Sequence, residues 1–220
     1  MRPVDMKNVD VSNRPPAKVE DENNPLTLMK QLLAKGASTN TTLLKSITAR
    51  AVLDGADAVM SLGATPFLRA ARGGDVEAMK VLLENKADAK AVTATGANAM
   101  LVAAGTGWRD GKTNAPNEKS VAAIQYLVSL GFDVNYASPT TGETALHAAA
   151  GRGSNPVVEA LVALGANVNA KDKQSRTAMD VANGVSNGPA AQRVVHEDTA
   201  ALIAKLGGIT GVPPTPAPGQ

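Results

Sequence analysis

The stretch GETALHAAAGRGSN occupies residues 142–155, and its first nine residues recur in related form elsewhere in the chain. The related segments are GATPFLRAA, GANAMLVAA and SRTAMDVAN, so that copies begin at residues 63, 96, 142 and 175. The intervals between these starts are 33, 46 and 33 residues, and the middle interval is therefore one period with an insertion of about 13 residues. Self-similarity at a fixed period of about 20 to 50 residues indicates a repeat architecture, in which stacked copies bury a common core.

A second segment follows each of the first three copies and carries apolar residues at helical spacing. These segments are VEAMKVLL at 76–83, VAAIQYLV at 121–128 and VVEALVAL at 157–164. Each predicts a second helix with one buried side. The last two end at Gly131 and Gly165, which permit the left-handed conformation that closes a helix, and a polar hairpin follows. Lys86 stands at this place after the first segment, where we expect strain of about 1 kcal/mol.

The motif, the period and the second helix together resemble the ankyrin repeat family, whose unit is a hairpin turn plus two antiparallel helices over about 33 residues. The resemblance covers about residues 26–208 and is carried by GATPFLRAA, GETALHAAA and GANVNA. It implies an all-α solenoid of stacked helix–turn–helix units with short hairpin loops. It also implies a non-catalytic scaffold that binds a protein or peptide through a concave groove, hairpin tips and loops.

The motif assigns structural roles to several residues. Threonine at a helix start caps free backbone N–H groups, which explains Thr65, Thr144 and Thr177, and Pro66 stands where a missing N–H is harmless. The resemblance gives His147 a role in bridging adjacent hairpins through its two ring nitrogens. Other residues stand at the positions equivalent to His147, so we expect different bridges there: Leu68, Leu101 and Asp180. The preceding residue of each copy is expected in the core: Phe67, Met100, Leu146 and Met179.

The repeats divide the chain into three parts. Residues 1–24 are polar and contain prolines, so we expect an irregular or disordered arm. The repeat domain is expected at 25–208, with a half unit at 25–40, an insertion at 41–62 that suits a short helix at 43–47, four units, and a final helix at about 197–206. Residues 209–220 are expected to form a proline-rich tail. Because the chain opens on half a unit, the start is either an irregular cap or the edge of a longer array.

The composition excludes several classes of function. The net charge is +2 with acids and bases interspersed, which predicts no nucleic-acid site. The chain has no cysteine, which excludes disulfides and cysteine-based metal sites. We expect no membrane span and no signal peptide in this sequence, hence a cytoplasmic protein, or an exported one if an upstream segment is missing. Aromatic residues make up 2%, so the core must be built from Ala, Leu, Val and Met.

Neither histidine predicts a catalytic or metal site. No serine, cysteine or carboxylate is placed beside His147 as a catalytic partner, and His196 lacks further ligands at metal-binding spacing. The glycine-rich stretch GTGWRDGKT at 105–113 has neither the dinucleotide nor the P-loop spacing. We therefore expect no catalytic residue, no cofactor and no metal.

The insertion at 105–119 is the strongest candidate for partner binding, because long insertions in repeat proteins often lie on the binding face. It contains the chain's single tryptophan and several charged residues: Trp108, Arg109, Asp110 and Lys112. Trp and Arg are enriched at interface hot spots, although Trp108 packing back onto the stack is the alternative. Arg69 and Arg72 are further candidates. The resemblance places this part of the first helix at the groove, with Val102, Ala148 and Val181 at corresponding positions, and a solvated arginine pair is the competing explanation.

Two other functions stay open. The half unit and the tail suit an ankyrin segment of a larger protein whose activity lies in another domain, and the insertions are similar to those of bacterial ankyrin proteins, some of them exported. The other alternative is an enzyme that uses the insertions as the rim of an active site. We expect an unknown protein or peptide as partner, and a monomer.

Overall fold

The computed structural model describes residues 24–44, 62–107, 115–185 and 194–212. Over these ranges the chain folds into nine helices and contains no strand. The helices are α1 (Pro25–Ala34), α2 (Pro66–Arg72), α3 (Val76–Glu84), α4 (Ala99–Ala104), α5 (Asn117–Ser129), α6 (Ala145–Arg152), α7 (Asn155–Ala163), α8 (Ala178–Ala182) and α9 (Glu197–Lys205). The predicted all-α architecture is confirmed; α1 lies in the stretch where the half unit is expected, and α9 lies where the final helix is expected.

Several helices start at polar residues that cap the first backbone N–H groups. The Thr65 side chain accepts a hydrogen bond from the Leu68 N–H at 3.3 Å, and Asn98 accepts one from Leu101 at 3.0 Å. Pro66 occupies the first turn of α2, where a helix has no partner for an N–H. Each cap contributes about 1 kcal/mol, so the repeated motif positions every inner helix by local chemistry.

The helices pack in two layers. An inner layer runs through α2, α4, α6 and α8, and an outer layer runs through α1, α3, α5, α7 and α9, with each helix packed against its neighbours in the stack. Pairs of alanines in α2, α4 and α6 are buried and let the short inner helices approach closely. Phe67, Met100 and Leu146 lie in the core as predicted. Met179 is only partly buried, because α8 is the last inner helix of the described residues.

Hairpins connect α3 to α4, α5 to α6 and α7 to α8. The outer helices close with left-handed residues, which are Gly131 after α5 and Gly165 after α7. After α3 this place is held by Lys86 with φ of 63°, a conformation that costs a side-chain-bearing residue about 1 kcal/mol. The insertion predicted at 41–62 lies mostly outside the described residues, as does the short helix predicted at 43–47.

A buried ion pair braces the hairpin between α7 and α8. The Arg176 side chain contacts the Asp172 carboxylate at 2.6 Å and Glu143 of the preceding hairpin at 3.4 Å. Asp172 also accepts backbone hydrogen bonds from Gln174 and Arg176. Burial raises the pKa of Asp172, but these hydrogen bonds and the charge of Arg176 outweigh it and hold the pKa below its usual value. The hairpin is thus fixed by a carboxylate that stays ionised.

The chain after α9 packs onto the array for longer than the boundary expected at residue 208. The Thr177 hydroxyl donates to the Ile209 carbonyl at 2.7 Å, and the Gly211 N–H donates to Asp180 at 2.7 Å. Asn169 accepts a hydrogen bond from the Ile209 N–H at 2.9 Å. Residues 207–211 therefore occupy the place that a hairpin occupies in the preceding units. The remainder of the predicted tail, from residue 213, lies outside the described residues.

Candidate partner-binding surface

His147 joins two successive hairpins from the first turn of α6. Its Nδ1 lies 3.2 Å from the Thr144 N and 2.9 Å from the Thr144 hydroxyl, and its Nε2 lies 2.9 Å from the Arg176 carbonyl oxygen. Because a backbone N–H only donates, Nδ1 accepts and Nε2 carries the hydrogen that it donates to Arg176. Both ring nitrogens are therefore engaged, and the side chain is 2% exposed. This arrangement leaves His147 no nitrogen for proton transfer to a substrate.

Asp180 stands at the equivalent position of the last unit and makes the opposite kind of bridge. Its carboxylate accepts from the Thr177 N–H at 2.8 Å and from the Gly211 N–H at 2.7 Å. His147 donates to a carbonyl of the following segment, whereas Asp180 accepts an N–H from it. The side chain at this position of the repeat thus matches the polarity of the backbone group that the following segment presents.

Arg72, the last residue of α2, holds the point where the chain leaves α4. Its guanidinium donates hydrogen bonds to the carbonyl oxygens of Thr106 and Gly107, the latter at 3.1 Å. The side chain is buried, with the residue 5% exposed. Residue 107 is the last described residue before the gap at 108–114. One end of the insertion is therefore fixed by a guanidinium from the preceding unit.

Arg152, the last residue of α6, holds the point where the chain returns. It donates to the Ala115 carbonyl at 2.6 Å, to the Asn117 side chain at 3.0 Å and to the Ser120 hydroxyl at 2.8 Å. The residue is 9% exposed. Burial, together with the positive charge of Arg72, lowers the pKa of Arg152 to about 10. The guanidinium still carries its charge at neutral pH, so both ends of the insertion are held by charge-assisted hydrogen bonds.

A family model described as "Ankyrin repeats (3 copies)" matches residues 113–202. The chain contains ankyrin repeats. The match begins at the return of the insertion, and the structure continues the same two-layer stack towards the N-terminus through α4, α3, α2 and α1. Ankyrin repeats are generally modules of protein–protein interaction and are typically non-catalytic.

The structure changes part of the predicted binding surface of the ankyrin array. The side chain of Arg72 is buried and donates to two backbone carbonyls, and its predicted part in partner binding stays a prediction. Val102 is also fully buried rather than groove-lining, because α4 is enclosed by α2, α5 and α6. Arg69 and Ala148 are partly exposed. Four predicted partner residues lie outside the described residues: Trp108, Arg109, Asp110 and Lys112.

Arg152 is the site residue that sequence reasoning missed. It stands in the Gly-Arg-Gly turn of the best-preserved repeat, and its only sequence signal is a charged residue at the end of an alanine-rich buried helix. Gly105 provides a second signal. It adopts φ of 117° at the end of α4, and a Cβ there would lie 2.9 Å from Arg152 Cδ. The glycine therefore makes room for the arginine that holds the insertion.

The ankyrin array also has a polar cleft of about 420 Å³ between the start of α7 and the start of α9. His196 lies at its edge, with Nε2 3.2 Å from the Gly151 carbonyl, and Thr199 donates to Asn155 at 2.7 Å. Among the described residues, no group of His, Cys, Asp and Glu is arranged to hold a metal ion. No helix of these ranges has the length and apolar character that a membrane span requires.

Proposed function

We propose that this ankyrin repeat protein is a non-catalytic scaffold that binds a protein partner through the inner helix layer, the hairpin tips and the insertion at 105–119. The observation that carries the proposal is the anchoring of both ends of the insertion. Arg72 of one unit holds residues 106 and 107, and Arg152 of another holds residues 115 to 120. Two buried guanidiniums therefore hold the described residues on either side of the insertion.

Anchoring of this kind favours binding for an energetic reason. Ordering a loop on association costs about 0.5–1.5 kcal/mol for each side chain that is immobilised. A base held in the free protein reduces that cost, because the entry and exit of the insertion are already placed. The stacked array adds rigidity, since each unit contacts its neighbours over the whole inner layer.

The residue types of the insertion support protein recognition. Trp108 and Arg109 belong to the types that contribute most to interface hot spots, where a few residues supply most of the binding energy. Asp110 and Lys112 add charges of both signs, which favours a partner with its own mixed charges. Arg69 lies partly exposed on α2 and extends the proposed surface along the inner layer. We further propose that the array acts as a monomer, so that this surface is available to the partner.

Affinity capture from the source cells with tagged variants tests the proposal. The test variant is the double substitution Trp108→Ala with Arg109→Ala. The matched control is Gln125→Ala with Glu159→Ala, which removes two exposed side chains of the outer helices α5 and α7. We expect at least one partner to be retained by the control and lost from the test variant. If both variants capture the same partners with equal yield, the insertion is not the binding site.

A third variant tests the anchoring. Arg152→Lys keeps a positive charge but cannot form the fork of hydrogen bonds to Ala115, Asn117 and Ser120. We expect it to weaken capture of the same partner by at least severalfold while far-UV circular dichroism stays unchanged. If a folded Arg152→Lys protein captures the partner as well as the parent does, the anchoring by Arg152 does not contribute to binding. The side chains of the insertion would then be the remaining candidates.

A further inference from the structure

Asparagine side chains join the bases of neighbouring hairpins in a repeated way. Asn135, in the hairpin after α5, donates from Nδ2 to the Gly165 carbonyl at 3.0 Å and accepts at Oδ1 from the Asn167 N–H at 2.7 Å. Asn40 and Asn169 make the same pair of hydrogen bonds to the segments that follow α3 and α9, at distances of 2.7 to 3.1 Å. We call these three residues the clasp asparagines. Each fixes the base of one hairpin to the next through both ends of a carboxamide.

Lys90 stands where the fourth clasp asparagine would be, in the hairpin after α3. A lysine side chain has three donors and no acceptor, so it cannot make the paired bonds of a carboxamide. The groups that an asparagine would reach are the Gly131 carbonyl and the Asp133 N–H. Over the described ranges, no hydrogen bond joins residues 85–91 to residues 131–135. In the described part of the chain, the bases of these two hairpins are therefore not joined by hydrogen bonds.

A second connection is also missing at this joint. The neighbouring hairpin pairs share a backbone hydrogen bond, from the Ala94 N–H to the Leu62 carbonyl at 3.1 Å and from the Lys173 N–H to the Thr141 carbonyl at 3.0 Å. The hairpins after α3 and α5 have no such backbone bond within the described ranges. Among the described residues, the hydrogen bonds that connect them are those near their tips, from the Tyr136 hydroxyl to the Gly96 carbonyl and from the Ser138 hydroxyl to the Thr95 carbonyl.

The other contacts between these two units lie mainly in the inner helix layer. The inner helices α2 and α4 pack closely across it, and Arg72 reaches from α2 to the end of α4. In the outer layer, α3 packs less extensively on α5 than α7 does, and the Lys80 ammonium lies 5.5 Å from the Tyr126 ring centre. In a stacked array, stability is a sum of interfaces between neighbours, so the least connected interface opens first.

From these contacts we propose that, among the interfaces between complete pairs of inner and outer helices, the one between α3 and α5 is the flexible joint of the array. The joint opens at the hairpin base and pivots on the inner layer, which changes the angle between the block that ends with α3 and the block that begins with α4. The insertion arises between α4 and α5 at the opposite end of the helices. The proposed motion concerns the whole array and does not depend on the partner-binding role of the insertion.

Distances between spin labels in pairs of cysteines test this joint, because the natural chain contains no cysteine. Glu84→Cys with Ala163→Cys places labels on the last residues of α3 and α7, across the joint. Ser129→Cys with Lys205→Cys places them on the last residues of α5 and α9 and serves as the matched pair. All four positions are exposed, and each pair spans two helix-to-helix spacings of 8–10 Å, about 20 Å in total. We expect a broader distance distribution for the first pair.

Two substitutions link the breadth of the distributions to the clasp. Lys90→Asn supplies the missing carboxamide and is expected to narrow the 84/163 distribution to the width of the 129/205 pair. Asn135→Lys removes a clasp that both pairs span and is expected to broaden the 129/205 distribution. Equal widths in the parent protein would overturn the proposal. So would an 84/163 distribution that Lys90→Asn leaves unchanged, or a 129/205 distribution that Asn135→Lys leaves narrow.

Discussion

Replacement of His147 by alanine tests whether this histidine stabilises the ankyrin array. The imidazole makes three hydrogen bonds, to the Thr144 N–H, the Thr144 hydroxyl and the Arg176 carbonyl, at 2.9 to 3.2 Å. The substitution leaves the Thr144 N–H and the Arg176 carbonyl without this partner in a buried place, and each orphaned group costs about 1–3 kcal/mol. Alanine is the better helix former, which returns about 0.5 kcal/mol. We expect a net loss of at least about 2 kcal/mol in the free energy of unfolding, near the lower end of what these terms allow.

Urea unfolding followed by circular dichroism measures this loss, and thermal unfolding gives an independent value. A loss of about 2 kcal/mol corresponds to a fall of about 4–8 °C in the melting midpoint for a domain of this size. His196→Ala is the control, since this is the other histidine of the chain and makes one hydrogen bond, at 3.2 Å, from a partly exposed position. We expect less than about 1 kcal/mol for the control. Equal losses for the two variants would refute the assignment of His147 as a link between hairpins.

Three further outcomes are expected. The pKa of Asp172 lies below its ordinary value of 3.8, because hydrogen bonds from Arg176 and the backbone outweigh burial. The ionised carboxylate therefore stabilises the folded state above pH 3.8, and this stabilisation is lost as the pH falls through the lower pKa of the folded state. Asp172→Asn should therefore be less stable than the parent at pH 6. It should also lose less stability than the parent between pH 4 and pH 2, by about 1.4 kcal/mol for each unit by which the pKa of Asp172 is lowered. Urea unfolding across that pH range measures both differences. Gly153→Ala places a Cβ against the His196 ring at a residue with φ of 70°, and thermal unfolding should show a loss of about 2 kcal/mol that His196→Ala partly restores. Arg152→Met removes the guanidinium that holds the return of the insertion, and we expect a loss of about 2–3 kcal/mol in the free energy of unfolding. Amide hydrogen exchange in residues 115–120 should also become faster. If the exchange rates of these residues equal those of the parent protein, other contacts hold this segment.

Much of the fold follows from local patterns in the sequence. The four copies of the motif, the second helices and the hairpins after them correspond to α2 through α8, and the half unit and the final helix correspond to α1 and α9. These elements are predictable because each is coded by a cap, a period and a stop within about 33 residues. Met179 shows the limit of the method, since it matches the core pattern but lies at the last inner helix.

The candidate site is predictable only in part. The insertion is visible as a break in the 33-residue period, and its Trp108 and Arg109 mark it as a binding candidate. The roles of Arg72 and Arg152 are not visible, because each forms its hydrogen bonds with residues 32 to 37 positions away in another unit. A pattern with a period of one unit describes what neighbouring copies share. It cannot show how a long side chain crosses to an insertion that occurs once.

The sequence by itself determined the repeat, the two helices of each unit and the position of the insertion that interrupts the 33-residue period. These features depend on caps, glycines and apolar spacing within one unit. The tertiary structure decided which polar side chains connect the units. Asn135 and Asn169 clasp the next segment and Lys90 does not, His147 donates where Asp180 accepts, and Arg152 turns away from the surface to hold the insertion. These differences arise because a hydrogen bond depends on the donor or acceptor that the neighbouring unit presents, and that group is chosen by the stacking of the array.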